Sequence, residues 1–284
     1  MAAEALDLER ALAVAREAAG AGADTLRETW EGQGRAAIVA DEKQPRDLVT
    51  EADRASERRI VDALRAAFPD HAILAEESDP GERREDPGAA RWVVDPLDGT
   101  ANFVHGIPMW AVSVALLDGD VPVVGVVMDP VRGEWFTAVA GRGAFLDGGD
   151  PADAEPLSVS ASREPGRAIL ATGFPFRRPE EIDRYLEAFG EIFRRVSDMR
   201  RAGSAALDLA YVASGRLEGF WEIGLHRWDI AAGELLVLEA GGRVSDWRGG
   251  GEHRATGWIA AGNPAAHDLL IEVLAAYAPT AEGM

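Results

Sequence analysis

Asp95-Pro96-Leu97-Asp98-Gly99-Thr100 is the stretch on which the reading of this chain turns. It follows Trp92-Val93-Val94, an apolar run of strand length, and precedes Ala101 to His105, which reads as a short helix. Alone, Asp-Pro-Leu-Asp-Gly is an acceptable turn, since Pro presets φ and Gly permits φ > 0. Its position adds meaning. Two carboxylates at a strand end, beside the free N–H groups of a helix start, can serve a cation and an anion together.

Three more acid clusters lie at similar places. Thr50-Glu51-Ala52-Asp53 reads as a helix start, a hydroxyl cap with an acid three residues on. Glu76-Glu77 follows the strand-like Ala72 to Ala75, and Asp229 follows Trp228 at the start of a helix. Each has a plain reading: a cap, a solvated loop, an acid on the helix dipole. Together they suggest more. Carboxylates gathered at the C-terminal ends of strands lie where open sheets bind ligands, and several of them close together need a cation. Hard oxygen donors without His or Cys suit Mg2+.

Around these clusters the chain reads as layered α/β (α+β) structure. Leu8, Leu12, Ala15, Ala19, Leu26 and Trp30 predict a long first helix, and Ile60, Leu64 and Phe68 a second one stopped by Pro69. Residues 110 to 139 read as a strand meander with turns at Asp118-Gly119-Asp120 and Asp129-Pro130. Beyond it strands and helices alternate, with strands over 169–171, 219–221 and 258–260. Helices are predicted over 179–194, 204–213, 230–239 and 265–277. The acidic, Gly- and Pro-rich segment from Asp147 to Pro156 is the candidate boundary between an N-terminal half, 1–150, and a C-terminal half, 151–284.

The 284 residues are 47% hydrophobic and 27% charged, contain no cysteine and carry a net charge of −20. That composition fills a core and excludes a disulfide scaffold or a disordered tail. The negative surface repels nucleic acid and anionic membrane, so neither is expected as a partner, and a phosphorylated ligand needs a local positive centre. No basic-then-apolar leader and no membrane-length apolar run is read, so a cytoplasmic location is expected. Lys43 is the only lysine among 29 basic residues.

At this point the sequence resembles the inositol monophosphatase family. Asp95-Pro-Leu-Asp98-Gly99-Thr100-Ala-Asn-Phe-Val-His is similar to that family's first signature, and Trp228-Asp229-Ile-Ala-Ala-Gly to its second. Lys43, Asp47-Leu-Val-Thr50-Glu-Ala-Asp53 and Glu76-Glu77-Ser78 match earlier segments in order. Leu97 stands where Ile is commoner. The resemblance implies a layered αβαβα sandwich, a homodimer, two to three Mg2+ ions per subunit and inhibition by Li+. By motif, Glu76, Asp95 and the Leu97 carbonyl would hold the first ion. Asp95, Asp98 and Asp229 would hold the second, with a weaker third near Glu76. Thr100 and Asp53 would position and activate the attacking water.

For the substrate, the same resemblance places Asp98, Gly99 and Thr100 at the phosphate and Glu222 and Ala205 at sugar-alcohol hydroxyls. Lys43 reads as a mobile-loop cation near them, or as a solvated loop lysine. His105 and His226 read as structural or rim residues, and Trp110, Trp221 and Trp228 as packing. Arg177-Arg178 and Arg194-Arg195 read as helix-flanking surface pairs, with a grip on a second phosphate as the alternative. The expected activity is Mg2+-dependent hydrolysis of myo-inositol monophosphate. Histidinol phosphate, 3'-phosphoadenosine 5'-phosphate and fructose 1,6-bisphosphate are alternative esters, and a non-catalytic regulatory protein on the same scaffold is the rival class.

Overall fold

A run of small residues opens the fold. In helix α1 (Leu8–Gly32) the buried stripe is Ala11, Ala15, Ala18, Ala19, Ala23 and Leu26, which lets a second helix approach closely. That second helix, α2 (Glu51–Ala67), begins at a capping box in which Thr50 and Asp53 satisfy each other's backbone N–H groups. The structure is a computed structural model that describes residues 6–32, 40–44, 47–77 and 90–279.

Helices α1 and α2 cover one face of a seven-stranded sheet ordered β3-β4-β5-β6-β7-β8-β9. Its strands are β3 (Ala72–Ala75), β4 (Arg91–Asp98), β5 (Ala111–Asp118), β6 (Val121–Asp129), β7 (Glu134–Val139), β8 (Gly143–Asp147) and β9 (Glu155–Pro156). Pairing is antiparallel except between β3 and β4. Along β4 the side chains alternate, Trp92 and Val94 packing towards α1 and α2 and Val93 towards the other core. With both faces covered, the strand reads as a continuous apolar run.

On that other face lie α5 (Ala205–Ala213) and α6 (Arg227–Glu239), followed by a five-stranded sheet. The smaller sheet has the order β11-β10-β12-β14-β13. It is built from β10 (Ile169–Thr172), β11 (Asp198–Arg200), β12 (Gly219–Glu222), β13 (Arg243–Ser245) and β14 (Ile259–Gly262). Helices α4 (Ile182–Phe193) and α7 (Pro264–Leu274) close its outer face over Leu170, Trp221 and Ala260. Helix, sheet, helix, sheet, helix is the αβαβα sandwich that the resemblance implied.

The segment Asp147 to Pro156 carries β9, so the chain leaves the larger sheet only after Pro156. One central core joins Phe136 and Leu117 of the first half to Leu207, Leu235 and Phe220 of the second. The strands β8, β9, β11 and β13 were not expected from the sequence. They are two to five residues long, too short for an alternating pattern to register.

Candidate metal centre

The strand read over Trp92 to Val94 runs on through the Asp-Pro-Leu-Asp stretch, which taken alone could have been a turn. β4 continues to Asp98, with Asp95 opposite Ser113 and Asp98 opposite Ala111 on β5. Two residues, Pro96 and Leu97, therefore face Val112 alone, which is a β-bulge. In a regular strand, residues three apart point to opposite faces. The bulge supplies the extra residue that turns both carboxylates to the same side. Ser56 on α2 holds it by donating to the Pro96 carbonyl at 3.0 Å, and Leu97 N–H donates to Asp95 Oδ1 at 3.0 Å.

Gly99 ends the strand with φ +94°, and an added Cβ there would stand 3.0 Å from the Met109 carbonyl oxygen. Only glycine fits both the angle and the space. Thr100 then begins α3 (Thr100–His105) and donates to Asp53 Oδ1 at 3.0 Å, within reach of the Leu97 carbonyl at 3.1 Å. Asp53 Oδ2 is already taken by the Thr50 hydroxyl and the Thr50 N–H. Asn102, also on α3, donates to the carbonyls of Met109 and Ala202, tying this corner to the loop before α5.

Asp229 arrives from the first turn of α6, where it accepts the His226 N–H at 2.6 Å through Oδ2. One carboxylate oxygen each of Asp95, Asp98 and Asp229 lies within 4.8 Å of the others. Glu76, which follows β3, is in side-chain contact with Asp95. Burial, then the charges of Glu76, Asp98 and Asp229, push the Asp95 carboxyl well above the usual carboxylate range. Burial and Asp229 raise Asp98 to about 7, against the hydrogen bonds from Ser204 and Ala206. Such a set of buried, hard oxygen donors fits a divalent cation such as Mg2+, whose charge would offset the burial and crowding that raise Asp95 and Asp98.

The acids form part of a cavity of about 490 Å3 that also includes Leu97, Gly99, Thr100, Ala205 and Glu222. Every residue expected at the metals or the substrate, Lys43 apart, is thus at one place: Asp53 joins it through Thr100. Lys43 lies in β1 (Ala40–Gln44), paired antiparallel with β2 (Asp47–Thr50), and its side chain is outside the described residues, as is Ser78. Glu222 ends β12 with its carboxyl over Gly173, where a Cβ would collide with it. Burial, then Asp229, raises its carboxyl to about 8.

Arg177 departs from expectation. It is no surface pair with Arg178: its Nη1 donates to Asp229 Oδ2 at 2.9 Å, and its Nη2 is 3.9 Å from Glu76 Oε1. Arg194 and Arg195 do stay outside, bonding to the Gly190 carbonyl and to Glu272. His105 is exposed, while His226 caps α6 and stacks on Trp228 at 4.6 Å. Trp110 and Trp221 are fully buried and Trp228 partly so.

Ser204, Arg177, Arg201 and Asp208 also reach the cavity; of these side chains only Arg177 reads from the sequence as a ligand contact, as the alternative grip on a second phosphate. Asp208, an acid inside the apolar run Ala205 to Ala213, was the one legible anomaly among them. It is 2% exposed and its Oδ1 has no hydrogen-bond partner.

Comparison with known proteins agrees with this geometry. A family model described as the inositol monophosphatase family matches residues 7–278. Nus factor SuhB of Escherichia coli (strain K12) is 49% identical over 228 residues, covering 80% of this chain and 82% of that protein. Extragenic suppressor protein suhB from Bartonella henselae superposes with a TM-score of 0.84 at 40% identity, covering 93% of this chain and 98% of that one. Inositol monophosphatase from Anabaena (Nostoc) sp. PCC 7120 superposes at 0.82 with 38% identity, covering 98% and 100%.

Proposed function

The chain belongs to the inositol monophosphatase family, and from that premise we propose that it is a Mg2+-dependent phosphomonoesterase whose first substrate is myo-inositol monophosphate. One observation carries the reading: Asp95, Asp98 and Asp229 converge within 4.8 Å in a cavity that also contains Glu222 and Ala205. Glu76, Asp95, Asp98, Asp229 and the Leu97 carbonyl are the residues to hold two to three ions. When bound, the ions neutralise charge on the phosphoryl group and acidify a water towards neutral pH.

The chain's own residues do the rest. Thr100 gives its proton to Asp53 or to the Leu97 carbonyl, which leaves its oxygen lone pairs free to accept from a water. Burial raises the Asp53 carboxyl despite the hydrogen bonds from Thr50 and Thr100, suiting it to receive a proton through that hydroxyl. Asp98, Gly99 and Thr100 contact the phosphate in this reading, and Glu222 with Ala205 orients the hydroxyls of the alcohol. A phosphoryl transition state is loose, so positioning and charge neutralisation are the protein's main tasks.

A homodimer belongs to the same proposal. Ile182, Leu186 and Phe193 leave an apolar face exposed along α4, and Phe176 is exposed nearby. The net charge of −20 disfavours nucleic-acid and anionic-membrane partners, and a cytoplasmic setting belongs to the same proposal. No described helix is long and apolar enough to cross a membrane.

The test is phosphate release from myo-inositol 1-phosphate with Mg2+, in wild type and Asp98→Asn, with and without Li+. Release that needs Mg2+, is lost in Asp98→Asn and falls with Li+ supports the proposal; equal release from both proteins overturns it. A panel with histidinol phosphate, 3'-phosphoadenosine 5'-phosphate and fructose 1,6-bisphosphate ranks the ester by kcat/KM. The name Nus factor, borne by relatives at 49% identity, favours a second reading, a non-catalytic binding protein on this scaffold. Absence of Mg2+-dependent release from every ester would favour it.

A further inference from the structure

Arg177 sits on the connection after β10, within Gly173-Phe174-Pro175-Phe176-Arg177. This connection is ordered by its own backbone: Phe176 N–H donates to the Phe174 carbonyl at 2.7 Å and Arg178 N–H to the Pro175 carbonyl at 3.0 Å. Arg201 stacks over the Phe176 ring at 5.2 Å, and Phe174 meets Phe176 edge-on at 6.0 Å. The turn therefore aims the Arg177 side chain into the acids. Its two terminal nitrogens reach carboxylates from separate elements, Asp229 at 2.9 Å and Glu76 at 3.9 Å. These side chains are 5% and 11% exposed.

A guanidinium keeps its charge at any pH the fold survives. A positive charge fixed between two nearly buried carboxylates offsets their mutual repulsion. It also repels any second cation that would use the same oxygens. We propose that Arg177 is a positioning residue of the metal centre: it bridges Glu76 and Asp229 while no ion is bound, and it competes with divalent cations for those two acids. The inference rests on the reading that Glu76 and Asp229 are metal ligands. It goes beyond that reading in assigning the resident cation to this chain and in giving metal loading a cost set by one side chain.

The variants that test it are Arg177→Gln, which removes the charge, and Arg177→Lys, which keeps it. Two readouts need no turnover: the Kd of Mg2+ by titration calorimetry without substrate, and the melting temperature in EDTA. Arg177→Gln is expected to bind Mg2+ about tenfold tighter and to melt below wild type in EDTA. Arg177→Lys is expected to stay within about threefold of wild type in Kd. An unchanged or weaker Mg2+ affinity in Arg177→Gln overturns the inference, as does Arg177→Lys behaving like Arg177→Gln. If wild type binds Mg2+ and releases phosphate while Arg177→Gln binds no tighter, only this inference falls. If wild type binds no Mg2+, the proposed function falls with it.

Discussion

Ser204 donates its hydroxyl to Asp98 Oδ2, and the Ala206 N–H donates to the same oxygen at 2.8 Å. Ser204 is also the N-cap of α5, accepting the Leu207 N–H at 3.4 Å. One helix start thus satisfies its own backbone and orients a carboxylate from a strand of the other sheet. With Oδ2 held by two donors, Oδ1 is the oxygen left for a cation.

Ser204→Ala removes the cap and one of those donors. Expected are a loss of about 1 kcal/mol in stability and a Mg2+ affinity weakened on the order of tenfold. Denaturant unfolding and Mg2+ titration check the two effects separately.

Asp95→Asn and Asp229→Asn each remove an ionisable carboxyl from a crowded, buried set. In metal-free buffer Asp95→Asn is expected to melt above wild type, since its carboxyl is disfavoured by burial and by Glu76, Asp98 and Asp229. Asp229→Asn also weakens the ion pair with Arg177, so its gain is expected to be smaller. Both are expected to lose Mg2+-dependent phosphate release by on the order of a thousandfold or more. Scanning calorimetry in EDTA beside a phosphate assay measures both signs.

Gly173→Ala places a methyl group inside van der Waals contact of both Glu222 carboxyl oxygens. Displacing that carboxyl is expected to raise KM for a polyol phosphate about tenfold, with kcat changed less because the metal ligands are untouched. Steady-state kinetics on myo-inositol 1-phosphate show which parameter moves; a fall in kcat alone would count against Glu222 as the residue that meets the hydroxyls.

Asp208 makes stability depend on pH. Burial, then Glu222 and Asp98, hold its carboxyl well above the value of 3.8 found in an unfolded chain. Between those two values the folded chain keeps a proton that the unfolded chain has lost, so stability falls as pH rises through the window. Above it the penalty of a buried carboxylate remains, eased only in part by the charge of Arg201. Asp208→Asn has no such penalty. It is expected to be more stable than wild type at neutral pH by about 1 kcal/mol or more, with the difference closing towards pH 4. Unfolding in metal-free buffer across that range measures it.

The strongly patterned parts of the fold were legible in the chain. The long helices α1 and α2, the β5-β6-β7 meander and the alternation after β10 each follow from apolar spacing and turn residues. The short strands β8, β9, β11 and β13 were not, because two to five residues pair by backbone hydrogen bonds whose partners lie elsewhere in the sequence. Among the site residues, Asp53, Glu76, Asp95, Asp98, Thr100 and Asp229 stood out by residue type and by position at element ends. Ser204 read as a helix start, and Arg177 as half of a helix-flanking surface pair or a grip on a second phosphate, not as a partner of Asp229 and Glu76.

The chain by itself determined which carboxylates exist, where each sits on its own strand or helix, and what kind of cation hard oxygen donors prefer, because these depend on side-chain chemistry and local backbone geometry. The folded arrangement decided the rest. The two-for-one bulge opposite Val112 turns Asp95 and Asp98 to one side, the start of α5 claims one oxygen of Asp98, and the turn after β10 delivers Arg177 to Asp229 and Glu76. Each of these is a contact between segments distant in sequence, and pattern along one segment carries no information about what faces it across the core.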